Sequence, residues 1–448
     1  MPNNRPGRHD DGSASETFDA RTAAATDEEI AASERQVAHE TPLVSREARV
    51  EAGPRRDFKV MVIAGEHSGD ALGARLMAAL NARARGRIRY FGVGGEGMAE
   101  QGLDSLFPLD EVAVMGPLSI LPRLPRIVRR VYRTVDAAIA AEPDCVVIID
   151  SPEFTHPIAK RIRKRLPHVP IVDYVSPSVW AWRPGRAAKM RAYVDHVMAL
   201  LPFEPEAHKR LGGPDCTYVG HPLIERFDEL RGNDGGELAA RLGITRGTPV
   251  LVVLPGSRPS EVGRLMRPFG EAVHRLLAKG ISPQVVVPVV PSVRALVAAG
   301  ATDWPVKPHF VTGEADKRAA FRLADAALAA SGTVTLELAL AGTPMVVAYR
   351  VDPVAARLRF LLKVQSIVLA NLVLGDNAFP EFIQEACSGE RLAAALVPLF
   401  SDTPERAAQR AALERIPARM CLDHGTPSDA AAAIVLAAAD RGRMIGRA

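Results

Sequence analysis

The sequence has few cysteines and no long apolar run, and each shortage excludes a class of protein. Its four cysteines, Cys145, Cys216, Cys387 and Cys421, lie far apart and form no C-x-x-C pair. A disulfide framework or a zinc site is therefore not expected, and a reduced cytoplasm is the natural compartment. No apolar run approaches the ~20 residues that span a bilayer, and the N-terminus lacks the apolar stretch of a signal peptide.

Two signatures of nucleotide chemistry are missing as well. No glycine-rich loop ends in the Lys-Ser/Thr of a Walker A motif. No Asp-x-Asp pair is present that could hold a metal-bound nucleotide. We therefore expect neither a metal nor a cofactor.

Residues 1–57 differ in composition from the rest of the chain. They hold 8 arginines and 12 acidic residues, out of 56 basic and 52 acidic residues in the whole sequence. They contain too little apolar material for a core, so we expect a mostly disordered extension. The remaining body is moderately basic, which suits an acidic ligand, an anionic membrane surface or nucleic acid.

From Phe58 onward, short apolar runs alternate with helical periods. One series begins with FKVMVI and ends with CTYVG, and a second begins with PVLVVLPGS and ends with PMVVAY. This alternation is typical of buried parallel strands in βαβ units. The sequence therefore predicts two doubly wound α/β domains joined near residues 221–235, with a cleft between them. The expected domains are residues 58–222 and 223–388, followed by helices over residues 389–448.

In such sheets ligands bind beyond the carboxyl ends of the strands, so the loops there are the candidate sites. The first loop, AGEHSGD, contains Gly65, Ser68, Gly69 and Asp70. Its glycines permit tight turns, and the next helix offers N–H groups to an anion; Ser68 or Asp70 could equally cap that helix. The second loop, GVGGEG, follows the second strand. That position favours a glycine turn close to a ligand over a dinucleotide fingerprint.

Asp150 ends the apolar run CVVIID. A partly desolvated carboxylate at this position could act as a general base. The alternative is an aspartate that only caps the helix starting near Thr155, and Glu153 is a weaker candidate for the same role.

Two of the three tryptophans lie in the loop VSPSVWAWRPGR. Tryptophan rings stack on sugar faces and arginine binds phosphate bidentately, so Trp180, Trp182 and Arg183 could line a sugar or an acyl chain. A packing loop between domains is the alternative.

The second series carries two further turns at helix starts. In LPGSRPSE, Gly256, Ser257 and Arg258 favour a phosphate site over a solvated arginine. In SGTVTLE, a similar turn is followed by Glu337, which could accept hydrogen bonds from ribose hydroxyls or be only a surface acid. The residues of that turn are Ser331, Gly332 and Thr333.

Two stretches, residues 112–135 and 357–375, combine apolar and basic residues without an acid. A basic amphipathic helix suits anionic lipid headgroups, although a core helix with a solvated face has the same pattern. In the first stretch, an apolar stripe at helical spacing lies apart from the arginines. The stripe is Leu124, Ile127, Val128, Val131 and Val135, and the arginines are Arg126, Arg129, Arg130 and Arg133.

Together these motifs resemble the lipid-A-disaccharide synthases, the bacterial glycosyltransferases of endotoxin assembly. The resemblance runs from about Phe58 to the C-terminal helices, and its most distinctive string is SPSVWAW. It implies a glycosyltransferase B-type fold: two Rossmann-like doubly wound parallel-sheet domains with an interdomain cleft. The final helices would pack back on the first domain. Other matching strings are AGEHSGDALGA, VAVMGPL, IDSPEF, LPGSR, ASGTVTLE and ANLVLG.

The resemblance also implies a reaction at the cytoplasmic face of the inner membrane. UDP-2,3-diacylglucosamine would give its sugar to the 6-hydroxyl of 2,3-diacylglucosamine 1-phosphate, leaving UDP and a β-1,6-linked disaccharide phosphate. Asp150 would be the base and Arg258 the diphosphate clamp. Glu337 would hold the ribose with Asn371 nearby, and Met115 would belong with the AGEHSGD loop to the acceptor cleft. A monomer and a homodimer both stay open.

The chain departs from the family pattern at two places. Asp376 and Asn377 follow ANLVLG where Arg-Glu is usual, which puts phosphate binding by that turn in doubt. Glu153 replaces the usual aspartate, which favours Asp150 as the indispensable acid. Three rivals remain: a UDP-sugar 2-epimerase on the same fold, a nucleotide-sugar-binding protein without catalysis, and a dinucleotide oxidoreductase.

Overall fold

The computed structural model describes residues 57–84, 86–113, 124–232, 234–351 and 366–445. The expected extension lies outside these residues except for Asp57. Met115 and residues 357–365 of the second basic stretch also lie outside them.

The described residues form two parallel sheets, as the alternation of apolar runs predicts. Their central strands read as continuous apolar runs because both faces are covered; β4, for example, is buried along its whole length. The first sheet consists of β1 (Phe58–Ala64), β2 (Ile88–Val93), β3 (Leu103–Ser105), β4 (Cys145–Ile149), β5 (Ile171–Tyr174), β6 (His196–Ala199) and β7 (Asp215–Tyr218). The second consists of β8 (Val250–Leu254), β9 (Gln284–Pro288), β10 (His309–Val311), β11 (Ala326–Ala330), β12 (Met345–Tyr349) and β13 (Glu381–Ile383).

Helices connect and cover these strands. Those of the first half are α1 (His67–Arg83), α2 (Glu96–Glu100), α3 (Leu124–Ala141), α4 (Pro152–Arg165), α5 (Gly185–Met190), α6 (Glu204–Arg210), α7 (Phe227–Arg231) and α8 (Gly236–Leu242). Those of the second half are α9 (Pro259–Ala278), α10 (Arg294–Gly300), α11 (Glu314–Leu323), α12 (Val334–Ala341), α13 (Leu369–Leu374), α14 (Gly389–Leu396), α15 (Pro404–Met420) and α16 (Pro427–Ile445).

The order of strands fixes where a ligand can bind. The first sheet runs β3-β2-β1-β4-β5-β6-β7 and the second runs β10-β9-β8-β11-β12-β13. Each sheet therefore has a topological switch point, between β1 and β4 and between β8 and β11. At such a point the loops after the two strands diverge to opposite faces and leave a crevice.

The helices of residues 389–445 divide between the two sheets. Helix α14 packs on α9, and α15 packs on α12 and α13, so both belong to the second half. Helix α16 packs instead on α1 and reaches β4 and β5. Its small side chains are fully buried in that contact; they include Ala431, Ala432, Val435, Ala438 and Ala439.

The apolar stripe of the basic amphipathic helix α3 is buried only in the C-terminal part of the helix. Val131 and Val135 are buried in the first-sheet core, whereas Leu124, Val128 and Tyr132 are 47%, 44% and 51% exposed. Leu124, Val128, Val131 and Val135 project within about 60° of one another on a helix of 3.6 residues per turn, so the expected stripe is one face, covered by the core at its C-terminal part and open at its N-terminal part. No described helix has the length and apolar content needed to cross a membrane.

One of the α3 arginines is also committed to the fold. Arg130 makes a bidentate ion pair with Glu111, with its Nε 2.8 Å from Oε2, and it stacks over the ring of Phe107. Arg126, Arg129 and Arg133 are exposed. Three of the four arginines that the spacing separated from the stripe therefore remain available to solvent or headgroups.

Candidate active site

Two adjoining cavities lie at the carboxyl ends of the strands that flank the switch points. The β8–β11 cavity, of about 350 Å³, is lined by seven predicted residues: Gly256, Ser257, Arg258, Ser331, Gly332, Thr333 and Glu337. The β1–β4 cavity, of about 320 Å³, includes the predicted residues Ser68, Gly69 and Asp150. Thr333 lines both cavities. The two predicted groups of residues therefore meet at one place, although they are far apart in sequence.

The β1–β4 cavity is mainly apolar with charged groups in its wall. Its side chains come from α1, from the loop after β6 and from residues 221–226. Leu72, Leu200 and Leu223 provide apolar surface, and Arg75 and Arg226 provide positive charge. Such a wall can hold an acyl chain together with a phosphate.

Asp150 lies on a strained turn between β4 and α4. Asp150 and Ser151 both have positive φ, at 51° and 44°, which costs each non-glycine residue roughly 1–3 kcal/mol. The Thr155 hydroxyl donates to the Asp150 carbonyl at 2.8 Å, and the Asp150 N–H donates to the Tyr174 carbonyl at 3.1 Å. A side chain at Gly65 would collide with Ser151, since an added Cβ would lie 2.5 Å from the Ser151 Cβ. Glycine is therefore required where the loops after β1 and β4 touch.

Glu66 is a second carboxylate at this switch point, and sequence reasoning missed it. Burial and the nearby Asp150 carboxylate raise the pKa of Glu66, and Ser151 and Arg258 oppose that rise. Glu66 therefore lies within electrostatic reach of both Asp150 and Arg258. The motif AGEHSGD contains it, but nothing in the spacing indicates that its side chain approaches Asp150.

Glu153 is held by arginines and is a poor candidate for a base. Its Oε1 pairs with Arg186 at 2.5 Å and with Arg183 at 3.5 Å. The hydrogen bond from Arg186 lowers the pKa of Glu153 despite partial burial, and the charges of both arginines add to the effect. Asp150, which lines the cavity, is the better placed of the two acids.

Arg258 presents a half-exposed guanidinium to the β8–β11 cavity, with 55% of its side chain exposed. Glu261 pairs with it at 3.0 Å and also accepts hydrogen bonds from the N–H groups of Ser257 and Arg258. Gly256 allows this contact, because a Cβ there would lie 2.4 Å from Glu261 Oε2. The N–H groups of Ser257 and Arg258 are thus occupied by Glu261, and the guanidinium carries the positive charge of this loop.

Glu337 lies in the first turn of α12 and is tied to a lysine that sequence reasoning missed. Lys317 Nζ is 2.8 Å from Glu337 and 2.9 Å from Glu314, and Lys317 lines the same cavity. Burial disfavours the lysine charge, but the two carboxylates outweigh it and raise the pKa of Lys317. Glu337 is therefore an acceptor held in a fixed orientation by Lys317, which suits a pair of hydroxyl groups better than a surface acid would.

Asn371 lies apart from the cavity and is only 2% exposed. Its amide donates to the Ser366 hydroxyl and to the Phe379 carbonyl, and it accepts from the Phe379 N–H at 3.0 Å. The amide is used to hold the chain after α13. The prediction that Asn371 binds the UDP-sugar is corrected on this ground.

Asp70 also has a structural role in place of the predicted cleft role. Its carboxylate accepts hydrogen bonds from the N–H groups of Gly95, Gly97 and Met98, at 2.7, 3.0 and 3.1 Å. It therefore caps α2, the short helix that begins in the loop GVGGEG. The same contacts exclude the dinucleotide interpretation, because these N–H groups are no longer open to a pyrophosphate.

The tryptophan loop is mainly a packing element. Trp180 packs edge-on against Phe203 with ring centroids 5.1 Å apart, and its Nε1 donates to Glu204 at 3.0 Å. Trp182 is 43% exposed, and the Arg183 guanidinium stacks on its ring at 4.2 Å. Neither tryptophan nor Arg183 lines the two cavities. Only Trp182 retains an open ring face that could meet a sugar or a lipid.

Glu204, in the LPFE segment that follows, holds the tryptophan loop in place through hydrogen bonds. Besides Trp180 it accepts hydrogen bonds from the N–H groups of Leu200 and Leu201, at 3.1 and 3.0 Å. Burial raises its pKa to about 7, although these hydrogen bonds oppose the shift. Its side chain thus titrates near neutral pH while it holds the loop.

Neither another large cavity nor a metal-binding cluster offers an alternative active site among the described residues. A larger cavity, of about 730 Å³, lies beside the amino ends of β6 and β7 and contains none of the predicted residues. Within the residues that the structure describes, no cluster of three or more His, Cys, Asp or Glu side chains could hold a metal.

Comparison with known proteins agrees with the geometry. The family model described as lipid-A-disaccharide synthetase matches residues 60–431. The lipid-A-disaccharide synthase of Bradyrhizobium diazoefficiens is 50% identical over 391 residues, covering 87% of this chain and 98% of that protein. The enzyme of the same name from Rhodopseudomonas palustris strain HaA2 is 53% identical, covering 84% of this chain and 95% of that protein.

Solved structures show the same fold at low sequence identity. UDP-GlcNAc 2-epimerase from Neisseria meningitidis has a TM-score of 0.56 at 12% identity and covers 85% of this chain and 98% of its own. A glycosyltransferase from Rickettsia africae has a TM-score of 0.55 at 11% identity, covering 86% and 99%. The fold is glycosyltransferase B-type, and the likeness to epimerases extends to the fold alone. The family model matches residues 60–431, and 50% of the 391 aligned residues are identical in the Bradyrhizobium protein, so this chain belongs to the lipid-A-disaccharide synthetase family.

Proposed function

We propose that this chain is an inverting glycosyltransferase that joins UDP-2,3-diacylglucosamine to 2,3-diacylglucosamine 1-phosphate. The products are the β-1,6-linked lipid A disaccharide 1-phosphate and UDP. The observation that carries the proposal is the pair of cavities that share Thr333. A charged cavity suits a nucleotide diphosphate, and an apolar cavity with two arginines suits an acylated sugar phosphate.

The β8–β11 cavity supports a donor site. The guanidinium of Arg258 can form charge-assisted hydrogen bonds with the diphosphate. Glu337, oriented by Lys317, can accept from the two ribose hydroxyls. Both contacts hold the UDP part of the donor and leave its sugar directed toward Thr333 and the β1–β4 cavity.

The reaction needs one displacement at the anomeric carbon. The acceptor 6-oxygen forms the new bond on the face opposite the leaving group, and the bond from the anomeric carbon to the UDP oxygen breaks. Asp150 accepts the proton of the 6-hydroxyl. Arg258 stabilises the negative charge that the departing diphosphate gains. Inversion then gives the β linkage.

Both substrates carry acyl chains, so the protein must meet a membrane surface. The exposed face of α3 supports a peripheral site on the cytoplasmic side of the inner membrane. It presents Leu124, Val128 and Tyr132 beside exposed arginines. Apolar insertion combined with attraction to anionic headgroups is the usual basis for such contacts.

The decisive experiment measures UDP release from UDP-2,3-diacylglucosamine in mixed micelles, with and without the monosaccharide 1-phosphate. We expect release that depends on the acceptor, together with a disaccharide product. Conversion of UDP-N-acetylglucosamine without an acceptor would favour an epimerase instead. UDP binding by folded protein without turnover of either substrate would favour a nucleotide-sugar-binding protein.

The donor site has its own test in the same preparation. Arg258→Ala should weaken UDP binding about 10- to 100-fold, the range for losing a hydrogen bond to a charged group. Arg267→Ala is the matched control, since Arg267 lies on α9, the helix that begins just after Arg258, with 89% of its side chain exposed. Equal UDP affinities of the two variants would count against the clamp.

A further inference from the structure

A buried histidine–aspartate pair links α4 to β5 near Asp150 and has no part in the reaction described above. His156 Nε2 is 3.2 Å from Asp173 Oδ2, and their side chains are 5% and 1% exposed. His156 Nδ1 is 2.9 Å from the Tyr193 hydroxyl, and the two rings meet edge to face. The three side chains join α4, β5 and the turn before β6.

Burying the His156–Asp173 pair in the core costs desolvation free energy. Neither carboxylate oxygen of Asp173 receives a hydrogen bond of good geometry from a described residue, although Oδ2 lies 3.2 Å from His156 Nε2. Burial raises the pKa of Asp173, with Asp150 adding to the rise and His156 and Arg186 opposing it. Buried ion pairs are often no more stable than apolar residues of the same volume. Stability alone therefore does not explain a buried pair of polar side chains at this position.

The place of the pair in the fold indicates what it does. His156 follows Thr155, whose hydroxyl holds the Asp150 carbonyl. Asp173 precedes Tyr174, whose carbonyl accepts the Asp150 N–H. The His156–Asp173 pair therefore joins α4 and β5, the two segments that hydrogen-bond to the Asp150 backbone.

These hydrogen bonds matter because the turn at Asp150 and Ser151 is strained. Asp150 and Ser151 are consecutive non-glycine residues in the left-handed region, and such turns persist only where surrounding contacts fix them. If α4 shifted relative to β5, the turn could relax toward ordinary backbone angles. The Asp150 carboxylate would then leave its place at the β1–β4 cavity.

We propose that the His156–Asp173 pair, supported by Tyr193, is a positioning device that holds α4 against β5 and keeps the Asp150 turn in its strained conformation. Its residues line neither cavity. Its loss should lower kcat while the β8–β11 cavity continues to bind UDP. The kinetic part of this inference rests on the proposed transferase function; the structural part does not.

The test compares Asp173→Asn with a matched control, Asp325→Asn. Asp325 is a second aspartate paired with a basic side chain, Arg406, and it also accepts from the Val250 N–H; it precedes β11 at the amino end of the second sheet. We expect Asp173→Asn to lower kcat roughly 10- to 100-fold, as misplacement of a catalytic group does, with unchanged UDP affinity. Asp325→Asn should leave kcat unchanged at a comparable change in Tm.

Hydrogen exchange supplies a readout that does not depend on turnover. Amide exchange over residues 149–156 should accelerate in Asp173→Asn and, to a smaller extent, in Tyr193→Phe, which removes only a hydroxyl. Exchange over residues 250–254 should not change. If Asp173→Asn fails to fold, exchange in Tyr193→Phe decides the question.

Three results would overturn the inference. One is wild-type kcat and exchange in a folded Asp173→Asn. Another is a parallel fall in UDP affinity and kcat, since the pair would then support the whole fold. The third is an equal loss of kcat in Asp325→Asn. Absence of acceptor-dependent UDP release by the wild type would refute the transferase reaction instead, and the exchange result would still judge the positioning role.

Discussion

At the scale of single residues, the partners of a carboxylate decide whether it can react. Asp70 is saturated by three backbone N–H groups, and Glu153 is paired with two arginines. Glu204 is enclosed and bonded to the tryptophan loop. Asp150 alone of these four lines the cavity where a hydroxyl could be deprotonated. These four acids look alike in the sequence, but their contacts in the structure give each of them a different role.

Replacement of Asp150 by asparagine keeps the shape of the side chain and removes its basicity. We expect kcat to fall roughly 10²–10⁴-fold, the scale of a lost general base, with UDP affinity retained. Glu153→Gln, only three residues away and paired with arginines, should change kcat much less. Steady-state kinetics with a UDP titration separates the two. Near-wild-type turnover in Asp150→Asn, or an equal loss in Glu153→Gln, would contradict the role given to Asp150.

Glu204 makes the free energy of unfolding decrease as the pH rises, whereas most acids in folded proteins make it increase. Its folded pKa is about 7, above its ordinary value of about 4.5, so the folded protein keeps a proton that the unfolded chain loses. The stability from this group is present below pH 4.5 and is lost as the pH rises to about 7. Two to three pKa units correspond to about 3 kcal/mol.

The matched variant for this prediction is Glu204→Gln, which does not titrate. Denaturant unfolding at pH 5 and pH 8 gives the difference in free energy of unfolding between variant and wild type at each pH. That difference should move by about 2–3 kcal/mol in favour of glutamine at the higher pH. Taking the difference cancels the contribution of other groups such as His221, whose pKa burial lowers to about 4. A constant difference would show that Glu204 titrates like an exposed acid.

At the scale of elements, α3 shows how one helix can serve both a core and a surface. Replacing Val128 and Tyr132 by serine removes apolar area from the exposed face and leaves the buried Val131 and Val135 in place. We expect weaker co-sedimentation with vesicles containing phosphatidylglycerol and little change in Tm. Asp136→Ser, an exposed change on the same helix, should not weaken binding. If the double variant binds vesicles as the wild type does, α3 is not the docking face.

The elements could largely be predicted from the sequence, whereas the contacts between them could not. Continuous apolar runs locate strands such as β4 and β8, and the loops after them contain Asp150 and Arg258. The site residues that were missed, Glu66 and Lys317, act through partners remote in sequence. Asp70 and Asn371 were misjudged because a polar residue in a loop looks the same whether it meets a ligand or a backbone N–H. Periodicity reports which face is apolar, not what that face contacts.

At the scale of the whole molecule, the last helix links the two ends of the chain. Helix α16 follows the second sheet in sequence but packs on α1 of the first. Its approach is close because the contacting residues are small, and Gly442 at its end would collide with the Asp144 carbonyl if it carried a Cβ. A cleft between two sheets needs such a connection if its walls are to keep their spacing.

Two neighbouring alanines in α16 allow this connection to be tested. Ala438 is fully buried in the interface, whereas Ala437 is exposed. Ala438→Leu forces extra volume into the contact with the first sheet and should cost about 1–3 kcal/mol. Ala437→Leu adds the same atoms toward solvent and should stay within about 0.5 kcal/mol of the wild type. Thermal unfolding measures both.

Because α16 ties the end of the chain to the first sheet, Ala438→Leu should shift a single transition for the whole chain. Two separate transitions in the wild type, or an unchanged Tm in Ala438→Leu, would mean that α16 does not couple the two sheets.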